Sequence, residues 1–292
     1  MFRCILLTLL LLPLTTPAAD DTLGDGSRWF VQVNLAAMRD ASDDGALYGW
    51  LQREVIDDLE EEFGQGSVDD FDAVTVFGAS DSSDGLGIVL DGRMDSDMRE
   101  RLIERLAAEP LTDIADGEAY AVGSNEELTD EFNLEFDDGS LFLAFGDDAA
   151  AFVTSSRSLL DDFLAGERFQ RPTASELLVV RANPLVSGAV DTASIGAGHG
   201  KWDSQVMRNI RRAGFALADA EGSYDVKVEL IAVDEAQAQA LQNIVQGVIG
   251  LQALSGEEPD LAFVSTLQTQ REGERVSLSV QVSSQELMGL LD

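Results

Sequence analysis

His199 is the sole histidine of this 292-residue chain, and Cys4 is the sole cysteine. Every histidine- or thiol-dependent chemistry therefore passes through one residue of each kind. A zinc centre needs three or four ligands drawn chiefly from Cys and His, so the sequence assigns none. As a general base, His199 would have to be held within hydrogen-bond reach of a nucleophile. It lies instead in SIGAGHGKWD (194–203), whose glycines predict a loop. The run Gly198-His199-Gly200-Lys201 imitates a phosphate cradle. A nucleotide-binding loop, however, places Gly six residues before its Lys and Ser or Thr after it, where this chain has Ile195 and Trp202. What remains is a linker before a helix whose N-terminus can at most attract an anion.

Carboxylates are abundant, with 54 Asp and Glu, and raise two other chemistries. The segment DASDDGALYGWL (40–51) sets Asp40, Ser42, Asp44 and Gly45 at the first, third, fifth and sixth positions of a calcium loop, but Leu51 stands at the twelfth, where a bidentate Glu is required. In SDSSDGLGIVLD (80–91), Asp84, Gly85 and Asp91 fit, while Ser80 takes the first position and the segment reads as a hairpin. Glycoside hydrolysis needs only two carboxylates at a suitable separation. No pair stands out by spacing, and two of the three tryptophans that could stack on a sugar, Trp50 and Trp202, fall on helix stripes expected to be buried. The Gly-x-Ser-x-Gly nucleophile elbow is absent. The sequence thus assigns no catalytic residue, no cofactor-binding residue and no metal ligand, and implies no cofactor.

The 19 Lys and Arg leave a net charge of −35 and a pI near 4.1. Such a field repels phosphate backbones and anionic headgroups, which excludes nucleic acid as a partner. Arg208, Arg211 and Arg212 form the one basic cluster, placed by the sequence on a helix and read as paired with nearby carboxylates. The acidic stretch 124–139, with Phe132, Leu134 and Phe136 alternating among Asp and Glu, reads as an edge strand or loop, or alternatively as a contact surface. With 45% hydrophobic residues the chain can build a core.

Residues 1–19 carry Arg3, an apolar run from Cys4 to Leu12, a break at Pro13 and small residues to Ala18 and Ala19. That is the pattern of a secretory signal peptide cleaved after Ala18 or Ala19. The run is shorter than the roughly 20 residues needed to span a bilayer, so no membrane insertion is expected, and the protein is placed in the periplasm or outside the cell.

Stepping along the remainder, two stretches share one order of elements. RWFVQVNLAAM (28–38) matches ELLVVRANPLV (176–186), with Asn34 and Asn183 closing each strand. A helix follows in each: one with Leu47, Leu51, Val55, Leu59 and Phe63 inward, Trp50 and Ile56 alongside them and Gly64 as its stop, the other with Trp202, Val206, Met207 and Ile210 inward after an Asp203 cap. Hairpins over 71–92 and 213–233 then run into helices capped by Asp95 and Asp234. The first of these helices turns Met98, Leu102, Ile103 and Leu106 inward, the second Leu241, Ile244, Val245, Val248 and Ile249. A second hairpin (140–155; 260–282) and a serine-opened helix complete each stretch. The fold class is therefore α+β: two related β-α-β-β-α-β(β)-α units in ferredoxin-like split βαβ order, with an antiparallel sheet and helices on one face. The units span 20–168, with an acidic insertion at 109–139 in which 116–123 is an extra edge strand, and 169–292. The boundary is AGERFQRPTASE (165–176), where Pro172 forces extended chain.

LYGWLQREVIDDLEEEFG (47–64) and IVQGVIGLQALSGEEPDL (244–261) resemble segments of uncharacterised exported proteins of Gram-negative bacteria. The resemblance implies an envelope or secreted location and carries no activity with it. The expectation is a non-enzymatic soluble envelope protein that binds a protein partner, with oligomeric state open. The alternatives are a carboxylate-dependent hydrolase and a calcium-stabilised extracellular module.

Only Lys201 and Lys227 are lysines among the 19 basic residues. Many carboxylates with few ammonium groups suit a saline habitat, where self-repulsion is screened within about 3 Å at 1 M salt. Melting temperature, followed by circular dichroism, is expected to climb from dilute buffer to molar NaCl; a salt-independent transition would contradict this.

Overall fold

The alternating run Trp29–Asn34 forms strand β1, at the middle of a sheet that twelve strands of the described residues build. The computed structural model describes residues 29–41, 45–57, 60, 68–78, 85–114, 119–122, 141–146, 151–165, 184–191, 207–255 and 266–291. The other strands are β2 (Phe71–Gly78), β3 (Leu86–Gly92), β4 (Ala108–Pro110), β5 (Ala119–Val122), β6 (Leu141–Ala144), β7 (Ala151–Thr154), β8 (Val186–Asp191), β9 (Ile210–Asp219), β10 (Ser223–Ala232), β11 (Gln268–Glu272) and β12 (Arg275–Ser283). Their order is β11-β12-β10-β9-β8-β1-β2-β3-β7-β6-β5-β4, and every neighbouring pair is antiparallel. Counted outward from the β1–β8 join, one side runs β1, β2, β3, β7, β6 and the other β8, β9, β10, β12, β11; β5 and β4 extend the first side.

Six helices accompany the sheet among the described residues: α1 (Leu35–Arg39), α2 (Ala46–Leu51), α3 (Ser96–Arg105), α4 (Arg157–Leu164), α5 (Glu235–Ser255) and α6 (Ser284–Leu291). Their starts follow from short polar side chains that satisfy orphan N–H groups. Asn34 accepts from the Ala37 N–H at 2.8 Å, Asp95 from Met98 at 2.7 Å and Asp234 from Gln237 at 2.7 Å. At α6 the Ser283 hydroxyl accepts from the Glu286 N–H at 3.2 Å, while Glu286 accepts from the Ser283 hydroxyl at 2.6 Å and its N–H at 2.9 Å, a capping box. Those bonds hold the Glu286 carboxyl below the ordinary glutamate range. The box therefore helps at pH above the unfolded glutamate pKa and is lost as pH falls through the lowered folded value.

Period-2 alternation decides which side chains meet which layer. On one face, Phe30, Phe77, Val89, Phe152, Ala189 and Ala216 form a cluster against Leu159 and Phe163 of α4. Phe77 and Phe152 stack at 6.4 Å, and Phe152 and Phe163 at 4.8 Å. On the opposite face, Leu35, Met38, Leu47, Leu51, Ile56, Met98 and Tyr224 pack with Val33, Val74, Leu217, Leu287 and Met288, so α1, α2 and α6 converge there. Leu143, Ala151 and Val122 receive Leu102 and Ile103 of α3 on that same face, and Val276 and Ala232 receive Ala238 and Leu241 of α5.

Several expectations need correction. A ferredoxin-like split βαβ unit sets its first and third strands parallel and side by side; here β2 lies between β1 and β3 and all pairings are antiparallel, so that order does not carry over to the sheet. Helices cover both faces, because α4 packs on the Phe30–Phe152 side. Within the described part of the helix expected over 47–63 the period changes: a π turn at Gln52–Ile56 follows α2, so Ile56 packs inward and Val55, expected inward as well, is 37% exposed. Ile210, Arg211 and Arg212 open β9 rather than sitting on a helix, since Ile210 is captured by the α5 cluster and the ladder with β10. The strand that pairs with β1 is Val186–Asp191. The stretch 176–183, with Asn183, lies outside the described residues, as do the segment 1–19 expected to be a signal peptide, 166–176, Asp203 with Trp202 and Val206, and Leu59, Phe63 and Gly64. The extra strand read at 116–123 is β5, with β4 outside it.

Three glycines sit directly opposite aromatic rings that lie over them: Gly78 under Trp29, Gly87 under Phe77 and Gly188 under Phe215. A Cβ at Gly188 would stand 2.6 Å from the Phe215 ring and 2.9 Å from the Phe30 carbonyl oxygen. Gly188→Ala is expected to cost about 1–3 kcal/mol through overpacking, part of it recovered in Gly188→Ala/Phe215→Leu, as read by urea unfolding.

Candidate functional site

The most distinctive surface lies on the helix-rich face. Strand registers place Ile88, Val76, Val31, Gly188, Phe215, Val228 and Leu278 in one continuous row across seven strands, from β3 to β12. The six side chains of that row are only half-buried, and none belongs to the packed clusters of the described residues. Over one end of this face, α5 turns Ala238 and Leu241 to the sheet and leaves Ile244 49%, Val248 53% and Leu251 71% exposed.

The spacing of those three, i, i+4 and i+7, makes a single stripe. Gln246 of α5 donates to the Thr269 hydroxyl of β11 at 3.3 Å, which orients the helix: β11 lies along the Gln246 flank, and the apolar stripe is on the other. Helical spacing alone turns all of Leu241, Ile244, Val245, Val248 and Ile249 inward. At the end of a sheet only one arc of a helix finds a floor, so Ile244 and Val248 remain outside. The signal available in the sequence was the missing charge: α5 runs from Glu235 to Ser255 with Glu235 as its one charged residue, in a chain where charged residues make up 25%.

The opposite face is polar across β8–β12. Glu229, 3% exposed, bonds Lys227 Nζ at 2.7 Å through Oε1 and an Arg275 guanidinium nitrogen at 2.5 Å through Oε2. Both carboxylate oxygens thus hold cations, an arrangement for structure rather than proton transfer. Asp191, the other buried acid of the described residues, lies opposite Arg212. Towards the centre, Gln32 donates to the Thr75 hydroxyl at 3.2 Å, and the neighbouring Ser187 hydroxyl is buried without a hydrogen-bond partner among the described residues.

The residues weighed for chemistry scatter. Asp40 is the C-cap of α1, Gly45 precedes α2 with φ of 74°, and Leu51 is buried core. Asp91 lies in β3 opposite Ala73. His199, Gly198, Gly200, Lys201, Ser42, Asp44, Ser80, Asp84 and the stretch 124–139 lie outside the described residues. Among the described residues, no group of three His, Cys, Asp or Glu converges as a metal site, and no helix is long and apolar enough to cross a membrane. Arg211 pairs with Glu274 at 2.5 Å.

No protein-family model matches the chain, and no curated protein matches it. Solved structures that share its fold include two crystal forms of one protein. Crystal form IV of TP0453, a Treponema protein, superposes with a TM-score of 0.52 at 12% identity, covering 92% of this chain and 94% of that one. Crystal form III of the same protein gives 0.51 at 12% identity over 93% and 97%. At that identity the likeness is one of fold.

Because Lys227 and Arg275 keep 28% and 34% of their side chains exposed, losing the charge between them is less costly than opening a fully buried pair. Glu229→Gln is expected to lower stability by about 1–3 kcal/mol without altering the far-ultraviolet spectrum, as measured by chemical unfolding.

Proposed function

We propose that this is a non-enzymatic envelope protein, periplasmic or secreted, that works by binding another protein, and that its two related α+β units act as one platform for that contact. The observation that carries the reading is the exposed Ile244–Val248–Leu251 stripe on a helix almost free of charge. An apolar patch of this kind on an otherwise strongly hydrated surface is the usual mark of an interaction site. The half-covered row from Ile88 to Leu278 on the same face enlarges the available apolar area. The reading of two related units is supported by the matching strand orders on either side of the join and by the matched caps of α3 and α5 at Asp95 and Asp234.

Charge selects the kind of partner. A surface set in a field of −35 favours an amphipathic segment whose apolar stripe is flanked by Lys or Arg, which gains both apolar burial and long-range attraction.

A synthetic leucine–lysine amphipathic helix, titrated by fluorescence anisotropy at 0.5 M NaCl, is expected to bind saturably. The leucine–glutamate counterpart should not. Val248→Asp should weaken the first interaction at least tenfold; an unchanged affinity would place the contact elsewhere and remove the support for this reading.

A further inference from the structure

The two ends of the sheet are built differently. At one end, β4 is three residues long and ends in Pro110. The Leu111 N–H donates inward to the Ala119 carbonyl at 3.0 Å, so by alternation the backbone nitrogen of Pro110 faces outward, where its missing hydrogen deprives an incoming strand of a donor. At the other end, β11 reads Gln268-Thr269-Gln270-Arg271-Glu272, with no proline and no lysine. It joins β12 through the two-residue loop Gly273-Glu274, with Gly273 at φ of 57°. Residues flanking such a loop exchange both backbone bonds. Glu272, Gln270 and Gln268 therefore spend theirs on β12, while Thr269 and Arg271 turn their N–H and C=O groups to the side on which no strand of the described residues lies. An edge of this kind is a template for another strand unless something blocks it.

The fold contains its own precedent for the missing neighbour. β6 is the fifth strand outward from the β1–β8 join on its side, and its outer edge is paired with β5. β11 is the fifth strand outward on the other side, and among the described residues no strand lies beyond it. Among the described residues the surroundings are also neutral, in a chain of charge −35. Arg271 and Glu272 cancel, and the flank of α5 above β11, marked by Gln246, carries Gln239, Asn243 and Gly250 at helical spacing. A second copy, which brings the same large negative charge, can approach only where charge is absent.

We propose that β11 is a dimerisation edge, pairing antiparallel with β11 of a second copy about a two-fold axis at Gln270. In that register Thr269 and Arg271 of each copy exchange backbone hydrogen bonds, Gln270 faces the partner subunit's Gln270, and Gln268 faces the partner subunit's Glu272. No like charges stand opposite one another. The two-fold is the symmetry that an isologous antiparallel strand pair requires. This surface is separate from the apolar flank of α5, so the dimer and the partner contact stand or fall independently.

Sedimentation equilibrium of the full exported chain in molar NaCl, where repulsion is screened, should give a concentration-dependent monomer–dimer transition. Thr269→Pro removes an outward N–H while leaving the bonds to β12, and is expected to raise the dissociation constant at least tenfold. Val248→Asp should leave the constant unchanged. Independently of folding effects in the proline variant, Gln270→Cys should form an interchain disulfide under mild oxidation, because non-hydrogen-bonded antiparallel neighbours lie about 4.5 Å apart at Cα. Gln268→Cys should not, since its two copies would be about 14 Å apart. A monomer at all concentrations, a dimer untouched by Thr269→Pro, or cross-linking through Gln268→Cys in preference to Gln270→Cys would overturn the proposal.

Discussion

The pairing of β1 with β8 is the interaction on which the rest of the architecture depends. Five residues of each strand stand opposite one another, from Trp29 and Val190 to Val33 and Val186, and Asn34 adds a backbone bond to Leu185 at 2.8 Å. Without that ladder the twelve strands would be two smaller sheets, each with a long apolar edge. With it, both main clusters become shared. Phe30, Phe77, Val89 and Phe152 close over Ala189 and Ala216 on one face, while α1 and α2 meet α6 and Tyr224 on the other. Partners some 150 positions apart make this a non-local contact, formed only after a long loop has been closed, and such contacts slow folding.

The acidic composition and the apolar flank of α5 are two answers to the same problem of solvation. Carboxylates keep most of the surface hydrated and apart from other molecules. Where contact is wanted, charge has to be withdrawn, since any ion trapped in an interface must be desolvated. The withdrawal here is local and complete: from Ala236 to Ser255 no residue is charged, whereas the shorter helix α3, at the matching place on the other side of the join, keeps Asp97, Arg99, Glu100, Arg101, Glu104 and Arg105. Two helices that each follow a β-hairpin thus differ sharply in charge.

Much of the fold was legible in the residues. Asp95, Asp234, Ser156 and Ser283 announced helix starts through cap chemistry, and the hairpins at 71–92 and 213–233 followed from alternation and turn residues. What escaped was set at longer range. The π turn at Gln52–Ile56 leaves no trace in composition and appears only as a break in the inward stripe between Leu51 and Ile56. The position of α5 at the end of the sheet decides that Ile244 is outside, and no periodicity within the helix contains that information. Strand neighbours were equally hidden: the antiparallel sheet was legible, but the order of elements along the chain is also compatible with a split crossover that sets the first and third strands side by side, whereas β2 lies between β1 and β3. The candidate surface was therefore invisible as a site, although the absence of charge in α5 was in plain view.

The rings that cover Gly78, Gly87 and Gly188 have an evolutionary consequence. Trp29, Phe77 and Phe215 occupy the space in which a side chain opposite would have to stand, so neither member of a pair can change freely. A larger residue at the glycine position is tolerable only alongside a smaller one in place of the ring. Related chains should thus exchange these positions in couples, and the couples, all of them in the five strands around the join, would trace its register even where nothing else in the sequence could be aligned.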